Sequence, residues 1–197
     1  MNKAEETRQY IIEQAAPIFN RYGYKGTSMS QLTKAINMTK GAIYGNFKNK
    51  DEIALAVFEY NFNKFLDKAA ETVLAKRHAC DKLTALAGFF LDKFSLISGH
   101  GGCPVLNAAV DSDNAHAMLK DKVVQVLEGW MENVVRIIRY GIRHGHIHKH
   151  AKPEQFASVF VSLIEGGLLL SKVTGNSIHL SRNIDHIIHL VNTELRI

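Results

Sequence analysis

The stretch TSMSQLTKAINMTKGAIYGNFKNKDE, residues 27–52, decides the fold. Ser28 or Thr27 offers a hydroxyl N-cap to a short helix expected over about 29–36. Asn37 follows, a residue that tolerates the left-handed conformation of a tight turn. Thr39 then opens a second short helix over about 39–46, in which Ile43 and Phe47, four apart, face a core. That leaves Thr39, Lys40, Ala42, Tyr44 and Asn46 on or near the outer surface. Gly41 and Ala42 are small enough for close approach to a groove wall, and Lys48 and Lys50 add charge beside them. Two short helices joined by about three residues, after a longer one, make a helix-turn-helix pattern. The run Thr27-Ser28-Met29-Ser30-Gln31 presents hydroxyls at a helix N-terminus, where they and the free backbone N–H groups are natural phosphate ligands.

Helical spacing continues on both sides. Upstream, about 4–22 places Ile11, Ile12, Ala15, Ile18, Phe19 and Tyr22 on one stripe, with a mild distortion expected at Pro17 and a stop at Gly23. Downstream, a long helix starts at 49–52 and runs to about 77; others are expected at about 81–98, 104–112, 115–144, 153–174 and 180–195. Pro104 suits a first helical position, and Ser181 and Asn183 are candidate caps for the last helix. Strand alternation and hairpin turns are absent. The expectation is an all-α chain of about nine helices, divided into a three-helix DNA-binding domain over 1–48 and a helical ligand-binding and dimerisation bundle over 49–197.

Composition narrows the function. Of 197 residues, 46% are hydrophobic and 22% charged, which excludes a disordered chain and supplies a core without a metal or disulfide staple. Apolar runs such as Leu168-Leu169-Leu170 are only a few residues long, so no membrane-spanning helix is expected. The polar N-terminus reads as no secretory signal, and Cys80 and Cys103 make no disulfide framework, so a cytoplasmic protein with reduced thiols is expected. Residues 1–50 hold eight Lys/Arg against three Asp/Glu, and 51–197 hold sixteen of each, so the whole net +5 sits in the first quarter. From Glu13 to Asp51 there is no carboxylate between, only six cations, a distribution that suits a polyanion partner. No phosphate loop, nucleophile elbow or His-Glu-x-x-His helix is present, and no cofactor is expected.

The stretch resembles the TetR family of bacterial transcription regulators. The resemblance is carried by Thr27-Ser28, Ile36-Asn37-Met38, Thr39-Lys40-Gly41-Ala42-Ile43-Tyr44, Phe47 and Lys50-Asp51-Glu52, and covers about residues 8–58. It implies a repressor that binds a palindromic double-stranded operator as a homodimer and leaves it when a small-molecule effector arrives. By the same resemblance, Thr27 and Ser28 contact phosphate, Thr39, Lys40, Ala42 and Tyr44 sit against bases or backbone, and Lys50 holds phosphate. Gly45 and Asn46 stand where the family often has His or Tyr. Asn46 suits either adenine, by a bidentate pair worth ~1–3 kcal/mol, or a phosphate or water contact.

One recognition helix reads few base pairs, so a dimer is also a physical need: two copies ~34–36 Å apart read successive major grooves. Phe156, Phe160, Leu163, Gly167 and Leu170, with Ile184, Ile188 and Val191, are the candidate interface; internal core is the alternative. Phe90, Phe94 and Trp130 are candidate linings of an effector cavity. Cys103, between Gly101-Gly102 and Pro104 with His100 nearby, sits where a helix N-terminus lowers a thiol pKa. The Gly-Gly-Cys-Pro segment is similar to one in some TetR-type regulators of quinones and other electrophiles. Cys103 is therefore either an electrophile sensor, a small buried residue, or the nucleophile of an all-α enzyme acting on small electrophiles. His144, His146, His148 and His150 alternate in a turn; no thiolate or carboxylate accompanies them, and no metal site is expected.

Overall fold

Asn2 accepts the amides of Ala4 and Glu5, both at 3.0 Å, while the Glu5 carboxylate accepts the Asn2 amide; this reciprocal cap starts α1 (Lys3–Gly26). The computed structural model describes residues 2–112 and 116–197. Backbone angles stay helical through Pro17 and break at Gly23 (φ 70, ψ 179). The expected distortion at Pro17 and stop at Gly23 are thus replaced by one break at Gly23, with a further turn to Gly26. Glycine reaches that left-handed φ without the clash a Cβ would bring.

The next two helices follow the local signals closely. Ser28 caps α2 (Met29–Ile36): the Gln31 amide donates to Ser28 Oγ at 3.2 Å and the Ser28 amide to Gln31 Oε1 at 2.7 Å. Asn37 ends it in the left-handed region (φ 55). Thr39 Oγ1 accepts the Ala42 amide at 3.2 Å and starts α3 (Lys40–Tyr44), which ends at Gly45 rather than at about 46. Helices this short are unstable alone. They are held by Ile11, Ala15 and Phe19 of α1, Leu32 and Ile36 of α2, Ile43, Phe47, and Ile53 and Val57 of α4 (Lys50–Leu74), all buried. Each large side chain buried there contributes about 1.5–3 kcal/mol.

Beyond α4 come α5 (Ala79–Asp92), α6 (Phe94–Gly99), α7 (Pro104–Ser112), α8 (Ala117–Arg143), α9 (Pro153–Thr174) and α10 (Ile178–Leu190), closed by a π-helical turn over Val191–Leu195. The single helix expected over 81–98 is split at Lys93, where the backbone leaves helical angles (φ −98, ψ 4). Residue 115, the expected start of α8, lies outside the described residues. Ser177, not Ser181 or Asn183, stands at the start of α10, and it makes no side-chain cap. Asn183 instead donates from Nδ2 to the Leu163 carbonyl at 2.8 Å and ties α10 to α9. Gly167 allows that approach, since a Cβ there would meet Leu180 Cα at 3.0 Å. The one β-type pairing among the described residues is an isolated bridge between Ile147 and Arg196.

The chain divides into two compact units, residues 1–65 with 99–125, and residues 66–98 with 126–197. Residues 1–48, the expected DNA-binding domain, lie wholly in the first. In the second, the 22 residues of α9 are long and apolar enough to cross a membrane by length and composition alone, a test that a buried core helix also passes. Run length missed this because Ser162, Glu165 and the glycines interrupt the apolar residues without polarising the whole. One face of α9 is buried in the unit (Phe156, Phe160, Ile164, Leu168) and the opposite face keeps Val159, Leu169, Leu170 and Val173 exposed. A helix apolar on both faces has two layers to bury.

Candidate nucleic-acid interface

Two buried residues, Ile43 and Phe47, turn α3 so that its N-terminus faces outward. Thr39, Lys40, Gly41, Ala42 and Lys48 are exposed, and Tyr44 and Asn46 are half-exposed. A Cβ at Gly41 would meet nothing within 4 Å, so that face is open. Lys40 Nζ lies 5.8 Å from the Tyr44 ring centroid. Asn46 Nδ2 donates to the Ala42 carbonyl at 3.0 Å, which parks its amide on its own helix. Exposed Ser28 and half-buried Met29 begin α2, with Ser28 Oγ occupied as the cap.

Two of the expected phosphate ligands are placed differently. Thr27 is 1% exposed, and its hydroxyl donates to the Gly23 carbonyl at 2.6 Å, closing the turn after the break. Lys50 donates from Nζ to the Tyr24 carbonyl at 2.5 Å and lies 4.3 Å from the Tyr24 ring centroid. Burial pushes its ammonium pKa down, against the pull of Asp111 and Asp51.

Several positioning groups were not legible in the sequence. Arg8 lies 3.9 Å over the Phe47 ring, donates to the Asn46 carbonyl at 2.5 Å and pairs with Glu52 at 2.8 Å. The Lys48 amide, then Arg8, hold the Glu52 carboxyl below its usual range. Tyr24 donates its hydroxyl to Asp51; that bond, burial and the Asp51 and Asp111 charges push its pKa up to about 12. Partners 38 and 44 residues apart in sequence leave no local pattern to read.

The effector candidates divide between the units. Cys103 and His100 belong to the first, where Cys103 is 8% exposed at the start of α7 and His100 is exposed. The loop around them is tied to α1: Asn20 Nδ2 donates to the carbonyls of His100 (2.6 Å) and Gly102 (3.0 Å), and Arg21 to that of Gly99 (3.1 Å). Phe90, Phe94 and Trp130 belong to the second, where the buried Phe90 and Trp130 rings stack at 5.3 Å and Phe94 is half-buried. A cavity of about 40 Å³ in the first unit is lined by Phe19, Asn20, Tyr24, Phe58, Asn107 and Asp111, none of the five candidates among them. It has room for roughly one or two waters.

Of the interface candidates, Phe156, Phe160, Gly167, Ile184 and Val191 are buried within the chain, Leu163 and Ile188 are half-buried, and Leu170 is 50% exposed. Among the turn histidines, His146 Nδ1 accepts the Ala79 amide at 3.2 Å and its ring stacks on His78 at 4.2 Å. Among the described residues no three His, Cys, Asp or Glu side chains converge as a metal-ligand group. Cys80 is buried, donates to the His146 carbonyl at 3.6 Å, and has its thiol pKa raised by burial.

Comparison with known proteins agrees with this geometry. The profile of the bacterial regulatory proteins of the tetR family matches residues 11–57, and that of the tetracyclin repressor-like C-terminal domain matches 79–187. The structure is similar to that of a TetR-family transcriptional regulator from Cytophaga hutchinsonii, with 31% identity, 99% of this chain and 98% of that chain covered, and a TM-score of 0.91. The sequence is similar to that of the HTH-type transcriptional repressor DhaR of a Mycobacterium strain, 21% identical over 86% of this chain and 84% of that one. The fold is shared with a cysteine mutant of the regulator CifR solved on a 26-base-pair double-strand operator, 15% identical with a TM-score of 0.81, covering 92% of this chain and 94% of that one.

Proposed function

The chain belongs to the TetR family of bacterial transcriptional regulators, and from that premise we propose that it is a repressor that seats two copies of α3 on a palindromic operator and lets go when an effector engages the helical bundle. It is a DNA-binding transcription factor and not an enzyme. The observation that carries the operator reading is the exposed N-terminus of α3. Thr39, Lys40, Gly41 and Ala42 stand clear of the core on the basic head, with Tyr44 beside them. CifR on its operator is the fold-level precedent for such a head on duplex DNA.

The homodimer reading is supported by the outer face of α9. Val159, Leu169, Leu170 and Val173 lie at helical spacing and stay exposed, Val173 at 76%. An apolar helix face left in solvent fits a protein interface. Leu163 and Leu170 stay on the proposed interface, while Phe156, Phe160, Gly167, Ile184 and Val191 support it from beneath. The effector is a small molecule received among the bundle aromatics or, as an electrophile such as a quinone, by Cys103. Asn20 and Arg21 link the Cys103 loop to α1, so a change there is felt by the helix that carries the DNA-binding head. The effector must favour the DNA-incompetent state to shift the equilibrium at all. The protein acts in the cytoplasm, where its operator is.

The test is the salt dependence of binding to duplexes selected from a random pool. With ~6–8 phosphates neutralised per dimer, log K falls against log salt with a slope of about −5 to −7. A slope near zero contradicts the reading. Adding quinones to wild type and to Cys103→Ser separates the two effector routes.

A further inference from the structure

Where α1 breaks at Gly23, the next amides are orphaned like those at any helix start. Tyr24 and Lys25 donate them to one oxygen, Oδ2 of Asp111 on α7, the Lys25 bond at 3.2 Å. The carboxylate sits where a Gly23 Cβ would lie 3.1 Å from it, so the glycine and the aspartate fit each other. From α4, Lys50 Nζ holds the Tyr24 carbonyl at 2.5 Å, and Asp51 accepts the Tyr24 hydroxyl. His116, buried and edge-on to the Tyr24 ring at 4.7 Å, brings Nε2 to 3.7 Å from Asp51 and backs the group from the start of α8. Amides, carbonyl and phenol of one turn are all engaged, and that turn leads directly into Thr27, Ser28 and α2.

We infer that Asp111 and Lys50 are positioning residues for DNA binding: they grip the Tyr24–Lys25 turn from α7 and α4 and set the orientation of the α2–α3 pair, neither touching DNA. This rests on the reading that the chain binds duplex DNA. It assigns Lys50 a different role from the phosphate ligand that its place at the start of α4 suggests. It also gives Asp111 an effect opposite in sign to its charge. Electrostatics alone predicts that removing an anion from a DNA-binding unit tightens binding. Loss of the grip predicts that it weakens.

The experiment is a salt series of Kd for a duplex selected with the wild-type protein, read with wild type, Asp111→Ala, Asp111→Asn, Lys50→Met and the Ala/Met double variant. Asp111→Ala removes the charged acceptor of two amides and weakens binding by about 10-fold or more, since one charge-assisted hydrogen bond alone is worth about 10-fold. Asp111→Asn, which keeps an acceptor, falls between it and wild type. Lys50→Met weakens binding with the salt slope unchanged. The double variant is no weaker than the weaker single one, because both hold the same turn. Asp111→Ala binding as tightly as wild type or tighter overturns the inference. So does a slope reduced by about 1.8 per dimer in Lys50→Met, the loss of one phosphate contact per protomer. Hydrogen exchange on unmodified protein reads the grip independently of whether the variants fold: protected Tyr24 and Lys25 amides are expected, and exchange at the open-chain rate overturns it. Failure of wild type to bind any duplex at low salt defeats the DNA-binding reading instead, and leaves the exchange test of the grip standing.

Discussion

Lowering the pH from 7.5 to 5 should destabilise this protein through the imidazole of His78. His78 Nδ1 accepts the Cys80 amide and His146 Nδ1 the Ala79 amide, both at 3.2 Å, so the first turn of α5 is capped twice by rings 4.2 Å apart. An acceptor Nδ1 places the neutral ring's proton on Nε2. Protonation of His78 puts N–H against N–H, and a cation against the positive end of the helix. Burial, then His146, then Arg196 lower the His78 pKa from 6.5, and Asp81 opposes them. A histidine with a depressed folded pKa contributes stability that is present above about 6.5 and is lost as pH falls below it. Asp81, paired with Arg196 at 2.5 Å, remains ionised through this window, its carboxyl held below the usual range first by that bond. Cys80, Tyr140 and His144 complete the surroundings. The lost His78 cap costs about 1 kcal/mol. For a chain of this size that lowers Tm by roughly 2–4 °C. The reference is His78→Asn, whose side-chain oxygen accepts the same Cys80 amide without titrating. Calorimetric Tm is followed for both proteins from pH 7.5 to 5. Wild type should fall below the variant by the stated amount, and parallel curves would refute the cap argument.

Lys40→Ala and Tyr44→Ala should each abolish operator binding in a mobility-shift assay while sedimentation still finds the wild-type dimer. Leu170→Glu, on the exposed face of α9, should convert the dimer to monomer at micromolar concentration with helical circular dichroism intact, and an unchanged mass refutes that face as the interface. Arg8→Ala removes the Asn46 and Glu52 bonds and the cover over Phe47 at once. It should cost about 1–2 kcal/mol in denaturant unfolding, and a change under 0.3 kcal/mol contradicts that role.

What the sequence disclosed was the part written in neighbouring residues. Ser28 with Gln31, Asn37 and Thr39 each act within four residues, so α2 and α3 were placed closely. The break at Gly23 was legible from the glycine, but the further turn to Gly26 was not, because the amides of Tyr24 and Lys25 are satisfied by Asp111, 87 and 86 residues away. Thr27 carries the right hydroxyl for a phosphate, but burial turns it onto Gly23, and burial is a property of the assembled core. The apolar residues of α9 and α10 were visible, while their division between the chain's own core and an outer face was not. Periodicity reports that a face is apolar, not which neighbour covers it.

The central claim is that two copies of one exposed helix read one duplex. Selection from random double-stranded DNA by the purified chain, followed by sedimentation of the complex, tests it most directly. The account predicts a recovered palindrome with half-site centres ~10–10.5 base pairs apart, or a multiple of that, and two chains per duplex or a multiple of two. Sequences without two-fold symmetry, or one chain per duplex, would contradict it.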